Sequence, residues 1–282
     1  MTRAFFGITV LLWTVVSPTC SSTPHVPFER ENRMIHFSGY EWTVRDTEGR
    51  EGPGPNRFSA DEQGVRVDNQ GRLHLSVWNH GPTWYTSEVR LPDGHGYGTY
   101  VFETQGPLRF SSPEVVLGLF TFDHGAPQLA YREIDIEFGQ FGTPRKPDAQ
   151  FVLHPFPPVE NRLEFDLPDE LPDIMTHAFR WTERRVAFRS LSGSHYDPFE
   201  LHADDPQVIS DWEVQGPGVP DPGNARVHMN LWLYQGRRPA EPASVIIRAF
   251  RFLDFPNCCL VIILILPAKA FASISGVKTF IS

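Results

Sequence analysis

Cysteine is scarce in this chain of 282 residues: Cys20, Cys258 and Cys259 are the only three, and all lie near the ends. No disulfide framework and no cysteine zinc site can be built from them within the body of the chain. Positive charge is short too, with 25 Lys and Arg against 34 Asp and Glu, a net −9. A nucleic-acid partner, which usually calls for a basic patch, is therefore not expected, whereas an uncharged polymer suits the balance. The eleven histidines are scattered, without the H-E-x-x-H spacing of a metal-hydrolase helix. Long amphipathic helical patterns are missing, and no apolar run reaches the roughly 20 residues that a membrane-spanning helix needs.

Turns and short alternating segments take their place. The 26 prolines and 22 glycines divide the chain into many short elements. Period-2 alternation or short apolar runs predict strands at Tyr40–Val44, Val65–Val67, Leu73–Val77, Tyr85–Arg90, Thr99–Thr104 and Val115–Phe122. Further strands are predicted at Glu133–Phe138, Gln150–Leu153, His177–Trp181, Val186–Phe188, Val227–Trp232 and Val245–Phe252. The Gly/Pro cluster Gly52–Asn56 reads as a loop, and Gly94–Gly98 as a turn. Many strands with no helices between them predict an all-β sandwich or jelly roll.

The two ends stand apart from this pattern. Residues 1–22, with Arg3 before the apolar run Phe5–Val16, read as an export signal, so a secreted or cell-envelope protein is expected. Cys20 is a candidate lipidated cysteine, although Ser17-Pro18-Thr19 before it fits that signal poorly. The folded domain is expected over 28–254. Residues 255–282, which include the apolar run Cys258–Leu266, read as a tail outside the fold.

The most informative stretch is Glu133-Ile134-Asp135-Ile136-Glu137-Phe138. Residues two apart on a strand share a face, so Glu133, Asp135 and Glu137 point one way and the apolar residues the other. A helix would not separate them in this manner. Three like charges in one row repel, and at least one carboxyl should be pushed up. Glycosidic bond cleavage uses such a pair, one carboxyl ionised and one protonated. Four residues of strand span roughly 13 Å, and two Glu side chains leaning together, each reaching about 4 Å, leave about 5 Å, the spacing of a retaining pair. Asp135 between them can hydrogen-bond one Glu and bias where the proton sits. The bland alternative is a row of acids that keeps an exposed edge soluble.

Four blocks in order, Tyr85-Thr86-Ser87-Glu88-Val89, Gly96–Glu103, Glu133-Ile134-Asp135-Ile136-Glu137 and Met229-Asn230-Leu231-Trp232, resemble glycoside hydrolase family 16 over about Tyr40 to Leu253. The resemblance implies a concanavalin-like β-jelly roll of two curved antiparallel sheets, the concave one forming a groove for polysaccharide. It implies Glu133 as nucleophile, Glu137 as general acid/base, Asp135 as their assistant, and a retained anomeric configuration. The acidic strand lacks the extra residue of laminarinase-like members and is closer to the lichenase and xyloglucan types. The Asn-Tyr-Tyr of lichenases is replaced by Gln150-Phe151-Val152-Leu153-His154, which weighs against lichenase activity. The strand before the motif lacks the usual Trp and offers Phe120 or Phe122 instead.

Aromatic rings stack on sugar faces, which makes Trp84, Tyr85, Phe120, Trp232 and Tyr234 candidate substrate contacts, with core packing as the competing role for each. Trp232 leads because the resemblance puts its strand beside the catalytic one, and Asn230, two residues away, shares its face. Arg132 reads as structural, since its side chain should point away from the acids. No cofactor is required. Some members of the family bind a structural calcium on the convex side, but no oxygen-ligand loop marks one here. The expectation is a monomeric retaining endo-glycosidase acting on a β-linked polysaccharide. The rivals are a transglycosylase on the same fold and a non-catalytic glycan-binding protein.

Overall fold

The structure is a computed structural model and describes residues 33–144, 147–155 and 159–255. The export signal, Cys20 and the apolar run Cys258–Leu266 lie outside these residues. The described residues form sixteen strands: β1 Met34–Phe37, β2 Tyr40–Val44, β3 Val65–Val67, β4 Leu73–His80, β5 Thr83–Tyr85, β6 Ser87–Arg90, β7 Gly98–Gln105, β8 Val115–Phe122, β9 Ile134–Phe138, β10 Ala149–Leu153, β11 Arg162–Phe165, β12 Ile174–Thr182, β13 Arg185–Ser192, β14 Val208–Gln215, β15 Arg226–Leu233 and β16 Ala243–Leu253.

They make two antiparallel sheets, the layers of a jelly roll. One runs β1-β2-β6-β15-β8-β9-β10-β11, the other β14-β13-β12-β7-β16-β4-β3, with β5 paired to β4. Alternation explains why they stack. On β9 the side chains of Ile134, Ile136 and Phe138 are fully buried and join Leu117, Leu119, Met229 and Leu231 in the core. The facing sheet contributes Tyr100, Phe102, Phe179, Phe188 and Phe250, which pack ring against ring; Tyr100 and Phe179 stack at 4.7 Å. Each such side chain taken from water stabilises the sandwich by about 1.5–3 kcal/mol.

Three strands went unforeseen: β1, β11 and β14. The segment predicted as one strand from Tyr85 to Arg90 is two, because Thr86 leaves the ladder to bridge Phe58. Glu133 lies one residue before β9 and closes the preceding 3-10 turn, Pro127–Arg132.

Candidate active site

The antiparallel register brings distant residues into straight rows across the first sheet. Glu88 on β6 pairs with Asn230 on β15, Asn230 with Gly118 on β8, Gly118 with Glu137 on β9, and Glu137 with Gln150 on β10. The next row runs Arg90, His228, Phe120, Asp135, Val152. Directly paired residues share a face, so both rows look outward, away from the core. Gly118 is small for a reason: a Cβ there would stand 2.6 Å from Asn230 Oδ1.

These rows floor a cleft of about 500 Å³. Glu133, Asp135 and Glu137 all line it, with Phe120, Asn230 and Trp232. Three other candidates lie elsewhere. Trp84 and Tyr85 belong to the short β5 beside β4 of the other sheet, where Tyr85 stacks on Trp78 at 4.7 Å and Trp84 borders a different hollow. Tyr234 follows β15 and meets Phe141 edge-on, outside the lining.

Burial governs the acids. It pushes Glu133 up to about 9, helped by the charge of Asp135 and opposed by His154. Asp135 is raised by burial first and by Glu137 second. His154 Nε2 lies 3.0 Å from its Oδ2. Gln150 Nε2 donates to Glu137 at 2.7 Å. At neutral pH Glu133 thus keeps a proton that a separate carboxyl would have lost. Glu133, Asp135 and His154 bring ligand atoms within 4.8 Å of one another and form the one such metal-sized cluster among the described residues. Its imidazole does not suit calcium, which takes oxygen ligands.

The approach to Glu133 is strained. Ala130, Tyr131 and Arg132 all have positive φ, between 47° and 58°, a left-handed run that costs roughly 1–2 kcal/mol per residue. Arg132 holds it. Its guanidinium donates to Asp123 at 2.7 Å and meets Asp221 of the β14–β15 loop at 3.1 Å. Gly223 leaves room for this clamp, since a Cβ there would fall 2.5 Å from the guanidinium carbon. The run also presents Tyr131 to the cleft, stacked on Phe122 at 4.5 Å.

A second buried cluster lines the same cleft. Glu88 accepts from Arg45 at 2.8 Å and lies 3.0 Å from His228 Nδ1. Burial alone would raise Glu88, but these partners outweigh it and hold it at about 2. Sequence reading assigned no role to Glu88, Arg45, His228, His154, Gln150 or Tyr131. The available signals were that Glu88 falls inside the block Tyr85–Val89 and that Gln150 and His154 bound the stretch set against the lichenase Asn-Tyr-Tyr.

The fold is shared with solved glucanases. Bacillus licheniformis β-glucanase superposes with a TM-score of 0.57 at 18% identity, covering 76% of this chain and 92% of its own. A prokaryotic β-1,3-1,4-glucanase (lichenase) derived from a mouse hindgut metagenome gives 0.53 at 19%, over 75% and 92%. A β-1,3-glucanase from Mycobacterium marinum gives 0.52 at 18%, over 75% and 90%. No known family pattern and no curated protein matches the sequence.

Proposed function

We propose that this protein is a retaining endo-glycosidase that hydrolyses a β-linked polysaccharide lying along the cleft. The observation that carries the reading is the acid ladder, with Asp135 buried between half-buried Glu133 and Glu137, whose carboxyls share one open cleft on a fold that solved glucanases also use. In this reading Glu133 attacks the anomeric carbon and the glycosidic C–O bond breaks as Glu137 protonates the departing oxygen. Glu137 then takes a proton from water, which attacks the same carbon and frees Glu133.

Attack requires Glu133 to be ionised, yet burial favours its protonated form. A proton must therefore pass from Glu133 to the Asp135–Glu137 side when sugar fills the cleft, and His154 beside Asp135 is placed to balance the charge left behind. The raised value of Glu133 also favours a second reading, with the roles exchanged and Glu133 as the acid. Azide rescue separates the two. A variant that lacks the nucleophile yields a glycosyl azide of inverted configuration, and one that lacks the acid/base yields the retained azide.

The first experiment is a panel of laminarin, lichenan, xyloglucan, agarose and carrageenan scored by new reducing ends, with and without an oligosaccharide acceptor. Cleavage by the wild type and none by Glu133→Gln supports the hydrolase. Longer products with acceptor move the reading to a transglycosylase. Binding without cleavage across the panel replaces it with a glycan-binding protein.

A further inference from the structure

The loop Glu51–Asn56 separates the cleft from a second hollow. Glu51, Gly52 and Pro53 face the cleft, while Pro55 and Asn56 line the other side. This second pocket holds about 150 Å³ and is bordered by Arg50, Arg57, Arg238 and Trp84, with no carboxylate in its lining. Each guanidinium is tied to a backbone carbonyl: Arg50 to Pro55 at 3.4 Å, Arg57 to Glu48 at 3.3 Å, Arg238 to Pro82 at 3.1 Å. None of the three has a carboxylate partner among the described residues. Arg45, Arg132, Arg180 and Arg189 are paired with carboxylates, whereas Arg66 and Arg90 also lack one among the described residues but stand apart from this hollow. Three guanidiniums without a carboxylate partner thus border one hollow and offer N–H donors to an anion.

Charge reverses across the loop. Five carboxylates line the cleft, those of Glu51, Glu88, Glu133, Asp135 and Glu137, and none lines the pocket. We propose that the pocket binds the oxyanion of an anionic saccharide, either a sulfate ester or a uronate carboxylate, with its sugar ring against Trp84. Guanidinium forks match the oxygens of such groups, and the indole supplies the flat apolar partner that a sugar face takes. The volume is below the roughly 300 Å³ of a pocket for a whole small ligand, so it suits one substituent and not an oligosaccharide. A glycan reaching from the cleft past the loop would thus have uncharged units beside the acids and its charged group among the arginines. The pocket's chemistry does not depend on whether the cleft breaks a glycosidic bond.

Calorimetric titration of the full chain tests this with three probes: a sulfated oligosaccharide, its desulfated counterpart and an oligogalacturonate. At least one anionic sugar should bind tighter than the neutral one, and the gap should shrink with added salt. The surface variant Arg57→Ala/Arg238→Ala should weaken that anionic sugar by about tenfold or more, with the neutral sugar unchanged. Binding of the sulfated sugar alone identifies a sulfate ester, and of the uronate alone a carboxylate. Equal affinity for charged and neutral sugars overturns the proposal. So does unaltered anionic binding by the double variant, or inorganic sulfate binding as tightly as the sulfated sugar.

Discussion

Glu88 and Glu133 line one cleft, and burial acts on both, yet they end far apart. Glu88 has Arg45 and His228 within hydrogen-bond reach and is held at about 2, while Glu133 has carboxylates for neighbours and is pushed up to about 9. Glu88 is the deeper of the two, with Glu133 half-buried, so the difference lies in the partners. A buried carboxylate with cations beside it is fixed in one charge state and serves as framework. One left among like charges is poised between two states, which is what proton transfer requires.

Substitution at the two positions should therefore have opposite effects. Glu133→Gln should cut hydrolysis by at least about 10⁴-fold, read as kcat on a cleaved glucan. The same change should raise the melting temperature near pH 8. Between its ordinary value of 4.5 and about 9, folded Glu133 keeps a proton that the unfolded chain releases, so it lowers stability as pH rises. The variant should flatten that slope, and an unchanged slope would remove the basis of the comparison. Glu88→Gln should instead destabilise by about 1.5–3 kcal/mol in urea unfolding, because it removes the charged partner of Arg45 and His228, although Arg45 keeps Glu51 at 3.0 Å. The contribution of Glu88 is complete above its ordinary 4.5 and fades as pH falls toward about 2.

Smaller effects sharpen the contrast. Arg132→Ala frees the left-handed run before Glu133 and should lower kcat by about 10²-fold with little change in KM. Arg132→Lys, which keeps the charge for Asp123, should restore part of it. If Arg132 only stabilises the fold, thermal stability would drop and kcat would not. Gly118→Ala crowds Asn230 on the cleft floor and should raise KM by about tenfold while leaving the ladder's pH response intact.

Much of the fold was legible because a half-buried strand writes its alternation into the sequence. β8 was read with its observed limits, Val115–Phe122, and β9 announced both its core side and its acid side. Of the missed strands, β1 alternates but is only four residues long, all four residues of β11 are half-buried, and β14 sets exposed Asp211, Glu213 and Gln215 against a face where Val208, Trp212 and Val214 are only half-buried. The ladder was visible because it is local. The cluster around Glu88 was not, since His228 reaches it across 140 residues through strand register. Tyr85 was grouped with Glu88 as one strand, but the break at Thr86 sends it, with Trp84, to the other sheet.

The most direct measurement is to trap the first step with a fluorinated β-oligoglucoside carrying a good leaving group, then map the labelled peptide by mass. A single sugar on Glu133 is the result this account predicts. A label on Glu137, or turnover of the glucan with no covalent adduct on either residue, would contradict it.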